Sequence, residues 1–575
     1  QCTRCVRFTQ EIAGIQELGL IGRGEREIVR SFVASTVDHE LSGNVIDLCP
    51  VGALNAKPFR YRARAWEMAA HPLVSPHDGT GTNLFGHVLR GQLMRVVPRP
   101  NEAINESWIA DRDRFSYEGI YGADRLAAPM IREGSSWSAV DWATALATAA
   151  GRLREAGAGL GTLAWSGSTL EELYLLGRLT RALGSASIDH RLRQSDFRDQ
   201  GSDPAAPGLG LAIADIDALD GLLVVGSNLR HEVPILAHRV RKAALRGARV
   251  AFLNPARFTY YFPVAAYCES APAQQVADLA AVLAAASEQA GRPAPAALAG
   301  LVGRQTVTDA HRAAAAALGT GERKAVWLGA LALNHPAYAD LRVLAAALAA
   351  VTGASLGVLA EGGNAAGAYL AGAVPHREPG GKRAGRPGLD AAQMLGGGVE
   401  SFLLFGGVEP WAEPRVGMDA LKALSAARLV IAITPYASEA LCEIAHILLP
   451  IGTFVETSGT FVNLEGRWQS FMGAARPLGE SRPGWKVLRV LGTELALPGF
   501  EYQSSEEVRE ELRRMCPAGQ SNGMLPALES AHQVAAAGAG APRVVDLPMY
   551  QVDAIVRRAG SLQRTAEGRA EPRIY

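Results

Sequence analysis

The sequence has no surplus of either charge. Its 575 residues carry 57 Lys and Arg against 57 Asp and Glu, whereas a bulk nucleic-acid binder needs a basic excess. Cysteine is scarce: six residues, Cys2, Cys5, Cys49, Cys268, Cys442 and Cys516. That is too sparse for a disulfide framework, and the clustering of Cys2, Cys5 and Cys49 near the start suggests a metal site in a reducing compartment. Long charge-free apolar runs are nearly absent. The exception, VLAAALAAVTGASLGVLA between Arg342 and Glu361, is mostly Ala, Gly, Ser and Thr. Its VTGAS centre predicts a helix stopped at Gly353 and a short strand, not a membrane span. No charged start with an apolar core marks a signal peptide at residue 1, and the chain reads as beginning inside a domain.

At roughly 150 residues per domain, the length allows about four domains. Residues 1–66 are cysteine-bearing and rich in charge. Residues 67–125 have Pro, Gly and Asn breaks between short apolar runs such as NLFGHVLRGQLMRVVP, which predicts a small antiparallel sheet. From WSAVDWATALATAAGRLREAG the spacing turns helical, with Ser138 as the candidate cap. Apolar strands then alternate with amphipathic helices: GLLVVGSN (221–228), a helix closed by Gly247, ARVAFLNP (248–255), KAVWLGA, SLGVLAEGG, SFLLFGG and RLVIAITP. The pattern predicts an α/β fold with parallel sheets flanked by helices over 126–500. Residues 372–390 read as a long loop, 529–547 as an Ala/Gly/Pro linker, and 501–575 as a C-terminal segment ending in a docking extension.

Cys2-x-x-Cys5 alone is shared by zinc ribbons, redox dithiols and iron–sulfur sites. The distant Cys49-Pro50 points further, because 4Fe–4S clusters commonly take thiolates from a tight run and one from a remote Cys-Pro. A zinc site would need His39 or another residue, and incidental cysteines stay open beside both.

The stretches QCTRCVRF, LGLIGRGER, ELSGNVIDLCPVGAL and KPFRYRARAWE closely resemble the large iron–sulfur subunit family of respiratory NADH:quinone oxidoreductase, complex I. The resemblance implies that Cys2, Cys5 and Cys49 are three of four ligands of a 4Fe–4S cluster. It places the fourth ligand two residues before Gln1, and a further 4Fe–4S and a 2Fe–2S cluster upstream of that. Where some family members carry one more cluster, WEMAAHPLVSPHDGTGTNLFGHVL has no cysteine, and His71, His77 and His87 read as loop and surface residues.

From about residue 67 the chain resembles the molybdopterin oxidoreductase fold, most specifically in LLVVGSNLRHEVPILAHRVRKAALRGARVAFLNP and EALCEIAHILLPIGTFVETSGTFVNLEGRWQ. In catalytic relatives such turns hold pterin dinucleotides, and Gly226, Ser227, Asn228, Gly406 and Gly407 match them. In IDHRLRQSDF, Asp189 and Arg193 match the run before the metal ligand, and Ser195 lies near the ligand position. Complex I members generally keep this fold without the cofactor, so no molybdenum cofactor is expected here. Cys268, Cys442 and Cys516 fit no ligand pattern and read as inert thiols. GLIGRGER follows no predicted strand and opens no helix, so it reads as a loop near the cluster rather than a dinucleotide fingerprint. Its Arg23 and Arg26 are either tuners of the cluster or plain solvated charges. The same choice, docking or solvation, applies to Arg557, Arg558 and Arg564 in the tail.

The resemblance implies an electron-transfer subunit with no bond-making site of its own. Its partners would be other peripheral-arm subunits, including the flavin-bearing one that oxidises NADH, with quinone reached through further subunits and no nucleic acid. It would lie on the cytoplasmic face of the bacterial inner membrane. The alternative is a molybdenum-pterin oxidoreductase such as a formate dehydrogenase.

Overall fold

The computed structural model describes residues 2–31, 36–516 and 542–575. The first part of the expected linker, 529–541, lies outside them.

The apolar strands assemble into two sheets. One has the order Ala266–Glu269, Arg249–Asn254, Gly221–Val225, Lys324–Leu328, Ser355–Val358, all parallel. Its central strand is buried along its whole length, because helices cover both faces. Leu223 and Val225 face the packed helices Gln275–Ala290 and Tyr338–Thr352, whereas Leu222 and Val224 face Pro234–Leu245. The second sheet has the order Ser136–Ala139, Met130–Glu133, Ile447–Pro450, Leu429–Thr434, Ser401–Phe405, Leu160–Ala164, Ile188–Asp189. Only the hairpin at its edge is antiparallel. In chain order the first sheet is inserted between the strands of the second.

Each sheet has one place where the strand order reverses, and in open parallel sheets the crevice at such a point is where ligands bind. In the first sheet it lies between Gly221–Val225 and Lys324–Leu328, ending on Gly226 and Gly329. In the second it lies between Leu160–Ala164 and Ser401–Phe405, ending on Trp165 and Gly406.

The run 343–360 is a helix, Tyr338–Thr352, stopped by Gly353 at φ 72°, followed by strand Ser355–Val358. Among the described residues no helix is long and apolar enough to cross a membrane. Residues 69–98 form a small antiparallel sheet, as expected, and it has three strands. Residues 372–390 hold only a two-residue hairpin, Arg377–Glu378 with Lys382–Arg383.

Three expectations need correction. Ser138 does not cap the first long helix; it is paired in strand Ser136–Ala139, and Asp141 caps Trp142–Ala156 by accepting from Thr144 N at 2.9 Å. GLIGRGER does follow a strand: Leu18–Ile21 and Ile28–Ser31 form a hairpin, with Arg23 and Arg26 exposed in its turn. The three histidines are not surface loop residues. His71 and His87 lie in strands, and the His77 side chain is fully buried. Two of the three tail arginines, left open between docking and solvation, are paired within the chain. Arg558 pairs with Asp124 at 2.6 Å and Glu409 at 2.7 Å, Arg557 pairs with Glu409 at 2.7 Å, and only Arg564 stays exposed, on Ser561 Oγ.

Candidate functional site

Cys5 lies on the short helix Arg4–Arg7, which runs into a wider turn, Phe8–Ala13, and ends at Gly14 with φ 85°. That helix packs on both strand Leu18–Ile21 and helix Asn44–Leu48, whose C-cap is Cys49. Pro50 follows and the helix stops there, so the thiol is held at the helix end. Cys2 is exposed, Cys5 buried and Cys49 half-buried. Burial pushes the Cys5 thiol above its ordinary range, and the nearby charges of Cys49 and Cys2 add to the rise. The three thiols therefore share one corner of the chain. Cys49 is shifted the other way: the Leu54 N–H donates to its sulfur at 3.5 Å and holds the thiol below its ordinary value, helped by the amides of Val51, Ala53 and Gly52. A loop of amides aimed at sulfur stabilises a thiolate.

No three His, Cys, Asp or Glu side chains among the described residues are close enough to share one metal ion. A cubane cluster spreads its thiolates over four irons, so its ligands need not meet at a point. His39 does not join the thiols. It is buried against Glu40 and Arg230, and burial lowers it to about 4.

The corner is fixed to the rest of the chain by polar contacts that no motif announces. Asp111 accepts from Ser42 Oγ at 2.5 Å and Gly43 N at 2.6 Å. Arg230 grips Glu40 through two bonds of 2.7 and 2.6 Å. Asn44 bridges Leu41 O and Ile109 O, each at 2.8 Å. These anchors lie in distant stretches of chain, so only the folded structure brings them together.

The two strand-order reversals are closed by the chain itself. Gly226 has φ 65°, and a Cβ there would lie 2.4 Å from Ala332 N. The Ser227 N–H donates to Asn254 Oδ1 at 2.8 Å, and Ser227 Oγ to Glu232. The other Glu232 oxygen accepts from Ala330 N at 2.9 Å. The Asn254 carboxamide oxygen and the Glu232 carboxyl thus occupy the Ser227 and Ala330 amides, which could otherwise cradle a phosphate. At the second reversal a Cβ on Gly406 would lie 2.3 Å from Ser168 Oγ. The cavity beside the first reversal measures about 90 Å³ and is lined by Glu232, Glu361, Asp546, Arg193 and Asn334 among others. Burial raises Glu232 to about 8, Glu361 to about 7 and Asp546 to about 6. Arg193 is paired with Glu413 at 2.7 Å and Glu361 at 3.2 Å. Asp189 pairs with Arg191 at 2.8 Å rather than with Arg193. The Ser195 hydroxyl is spent on Asn334 O. Burial lifts the remaining thiols: Cys268 and Cys516 to about 11, and Cys442 above its ordinary value.

A buried triplet joins the small sheet to the tail: His77 Nδ1 to Asp553 Oδ2 and His77 Nε2 to Ser116 Oγ, both at 2.7 Å. Ser116 is 1% exposed and the His77 side chain is fully buried, so the triplet ties the two parts together as a strut.

The molybdopterin oxidoreductase family profile matches residues 125–494. The chain belongs to that family. Residues 1–55 match the ferredoxin-like domain of NADH-quinone oxidoreductase subunit 3. Residues 74–118 match an NADH-ubiquinone oxidoreductase NDSU1/NuoG-like 4Fe-4S domain, although this stretch contains no cysteine. The G-type subunit of NADH-quinone oxidoreductase from Rickettsia felis is 38% identical over 255 residues, 44% of this chain and 38% of the relative. Its counterpart from Rickettsia bellii is 37% identical over 259 residues, 44% of this chain and 37% of the relative. These matches thus span less than two fifths of the curated relatives' length. Among solved structures, acetylene hydratase from Pelobacter acetylenicus has a TM-score of 0.60 at 16% identity, covering 76% of this chain and 71% of that one. At that identity the likeness is one of fold.

Proposed function

We propose that this chain is part of the electron-transfer subunit of an NADH:quinone oxidoreductase, complex I, with Cys2, Cys5 and Cys49 as thiolate ligands of a 4Fe–4S cluster. The observation that carries the reading is the thiol corner, where the helix bearing Cys5 packs on the helix that Cys49 caps and the Leu54 N–H donates to the Cys49 sulfur at 3.5 Å. The NADH-quinone oxidoreductase relatives and the ferredoxin-like match support it. The donor set fits an iron–sulfur cluster, with one ligand more needed than these three provide. When bound, such a cluster stores and passes single electrons. The chain's part is to hold it through thiolates, to bury the Cys5 side, and to raise its potential through the Leu54 N–H on Cys49. In this reading residues 1–66 carry the ligands and 126–500 serve as scaffold. Other peripheral-arm subunits bring electrons from a flavin that oxidises NADH and take them on toward quinone, at the cytoplasmic face of a bacterial inner membrane.

A molybdenum-pterin site does not suit the residues present. A pocket for even a drug-sized ligand takes roughly 300 Å³ or more, against the cavity of about 90 Å³ here. The turn amides are taken by Glu232 and Asn254, and Arg193 is neutralised by Glu361 and Glu413. Extra carboxyls face the space a polyphosphate would need. The reading is tested by Cys49→Ala in the native enzyme. NADH oxidation by a soluble flavin-site acceptor should persist while quinone reduction is lost. Retention of quinone reduction rejects the proposal.

A further inference from the structure

Between Cys49 and the first strand of the small sheet, the chain is laid out on the surface. Its sole regular piece is a three-residue turn, Ala65–Glu67. Three large apolar side chains point outward: Val51 is 79% exposed, Tyr61 95% and Trp66 82%. Lys57, Arg60, Arg62 and Arg64 accompany them, against a single acid, Glu67, whose carboxylate is used by the Arg64 N–H at 2.8 Å. None of the four cations makes an ion pair among the described residues. Two stack on their neighbours instead, Arg60 5.3 Å over the Tyr61 ring and Arg64 6.0 Å over the Trp66 ring.

The stretch is presented rather than loose. Arg95 sits 4.6 Å over the Phe59 ring, and Leu54 is tied to the Cys49 sulfur. Tyr61 holds φ 67°, a left-handed conformation that a residue with a Cβ disfavours. Strain of this kind persists where the surroundings impose it and concentrates at functional places. Arginine and aromatic residues are the groups enriched at the energetic centres of protein interfaces.

We propose that residues 51–67 are the docking surface for a carboxylate-rich face of another protein subunit, which covers the thiol corner when bound. The local excess of four cations over one acid, in a chain of zero net charge, selects an acidic partner. The function assigned to the covered corner rests on the cluster reading above; the surface itself does not. A nucleic acid is disfavoured by the balanced chain, and a lipid surface by the lack of any amphipathic helix in this stretch.

The test uses a photo-cross-linker, Tyr61→p-benzoylphenylalanine and separately Trp66→p-benzoylphenylalanine, in the native complex. Leu245, 58% exposed and remote in sequence, serves as control position. The expected product is a cross-link from 61 and 66, but not 245, to one other polypeptide at a peptide of net negative charge. Combining Arg60→Glu, Arg62→Glu and Arg64→Glu should cut its yield about tenfold or more while the reduced-cluster resonance remains, which shows the corner still folded. A cross-link to this chain itself, to nucleic acid or to lipid, or none at all, overturns the proposal. Unchanged resonance in Cys49→Ala with the cross-link intact sinks the ligand reading and leaves the docking surface standing.

Discussion

Replacing Asp553 by Ala isolates the strut between the tail and the small sheet. Its carboxylate caps the helix Ala554–Arg557 by accepting from Ile555 N at 3.0 Å and Val556 N at 2.9 Å, and it accepts from His77 at 2.7 Å. Loss of the cap costs about 1 kcal/mol. Leaving His77 Nδ1 buried without a partner costs about 1–3 kcal/mol more. The expected sum is about 2–4 kcal/mol. Titration gives a similar size by another route. Burial opposes ionisation of Asp553, but His77 and the Val556 amide hold it at about 2 against an ordinary 3.8, a difference worth about 2.5 kcal/mol at 1.36 per unit. A depressed carboxyl stabilises the fold fully above its unfolded value near 4 and loses that contribution as the pH falls through about 2. The assay is native-state hydrogen exchange at neutral pH. Amides of 544–575 should exchange roughly 30- to 1,000-fold faster in Asp553→Ala, while those of Gly221–Val225 keep their rates. Unchanged exchange in the tail, or equal acceleration in the sheets, would refute the strut.

Glu232→Gln should stabilise the protein at high pH. Burial raises Glu232 to about 8 from 4.5, so its ionisation erodes stability progressively as the pH climbs from about 4.5 to 8, and Gln keeps the acceptor for Ala330 N without the charge. Melting temperatures of variant and parent should diverge in the variant's favour by pH 8.5 and nearly agree at pH 4; a variant less stable at pH 8.5 contradicts the assignment. Ser195→Ala should leave quinone reduction unchanged, since the hydroxyl serves only Asn334 O, and elemental analysis of the purified complex should find no stoichiometric molybdenum. A molar equivalent of the metal, lost in Ser195→Ala, would reverse the account of the α/β body.

The parts of the fold that depend on local pattern were legible in the sequence. The buried strands ending on Gly226 and Gly406, and the helix stopped at Gly353, follow from apolar runs and turn residues a few positions apart. What escaped depends on partners far away in the chain. Ser138 looked like a cap because serine favours that role, but pairing with Ile131 claimed it for a strand, and Asp141 took the cap. His77 looked like a surface residue because nothing near it announces Asp553. The tail arginines stayed open between docking and solvation because Asp124 and Glu409, which pair with Arg558, lie in other stretches of chain. At the candidate site, the Cys-x-x-Cys and Cys-Pro spacing pointed to the three thiols, whereas Glu232, on the short helix after the Gly-Ser-Asn turn, carried one faint signal: an acid where a phosphate site would favour a neutral or basic residue.

The most direct test of the central claim is the reduced-state electron paramagnetic resonance spectrum of the intact enzyme with and without Cys49→Ala. The account predicts that one 4Fe–4S signal disappears while the other signals keep their intensity. A spectrum identical to the parent's would contradict it.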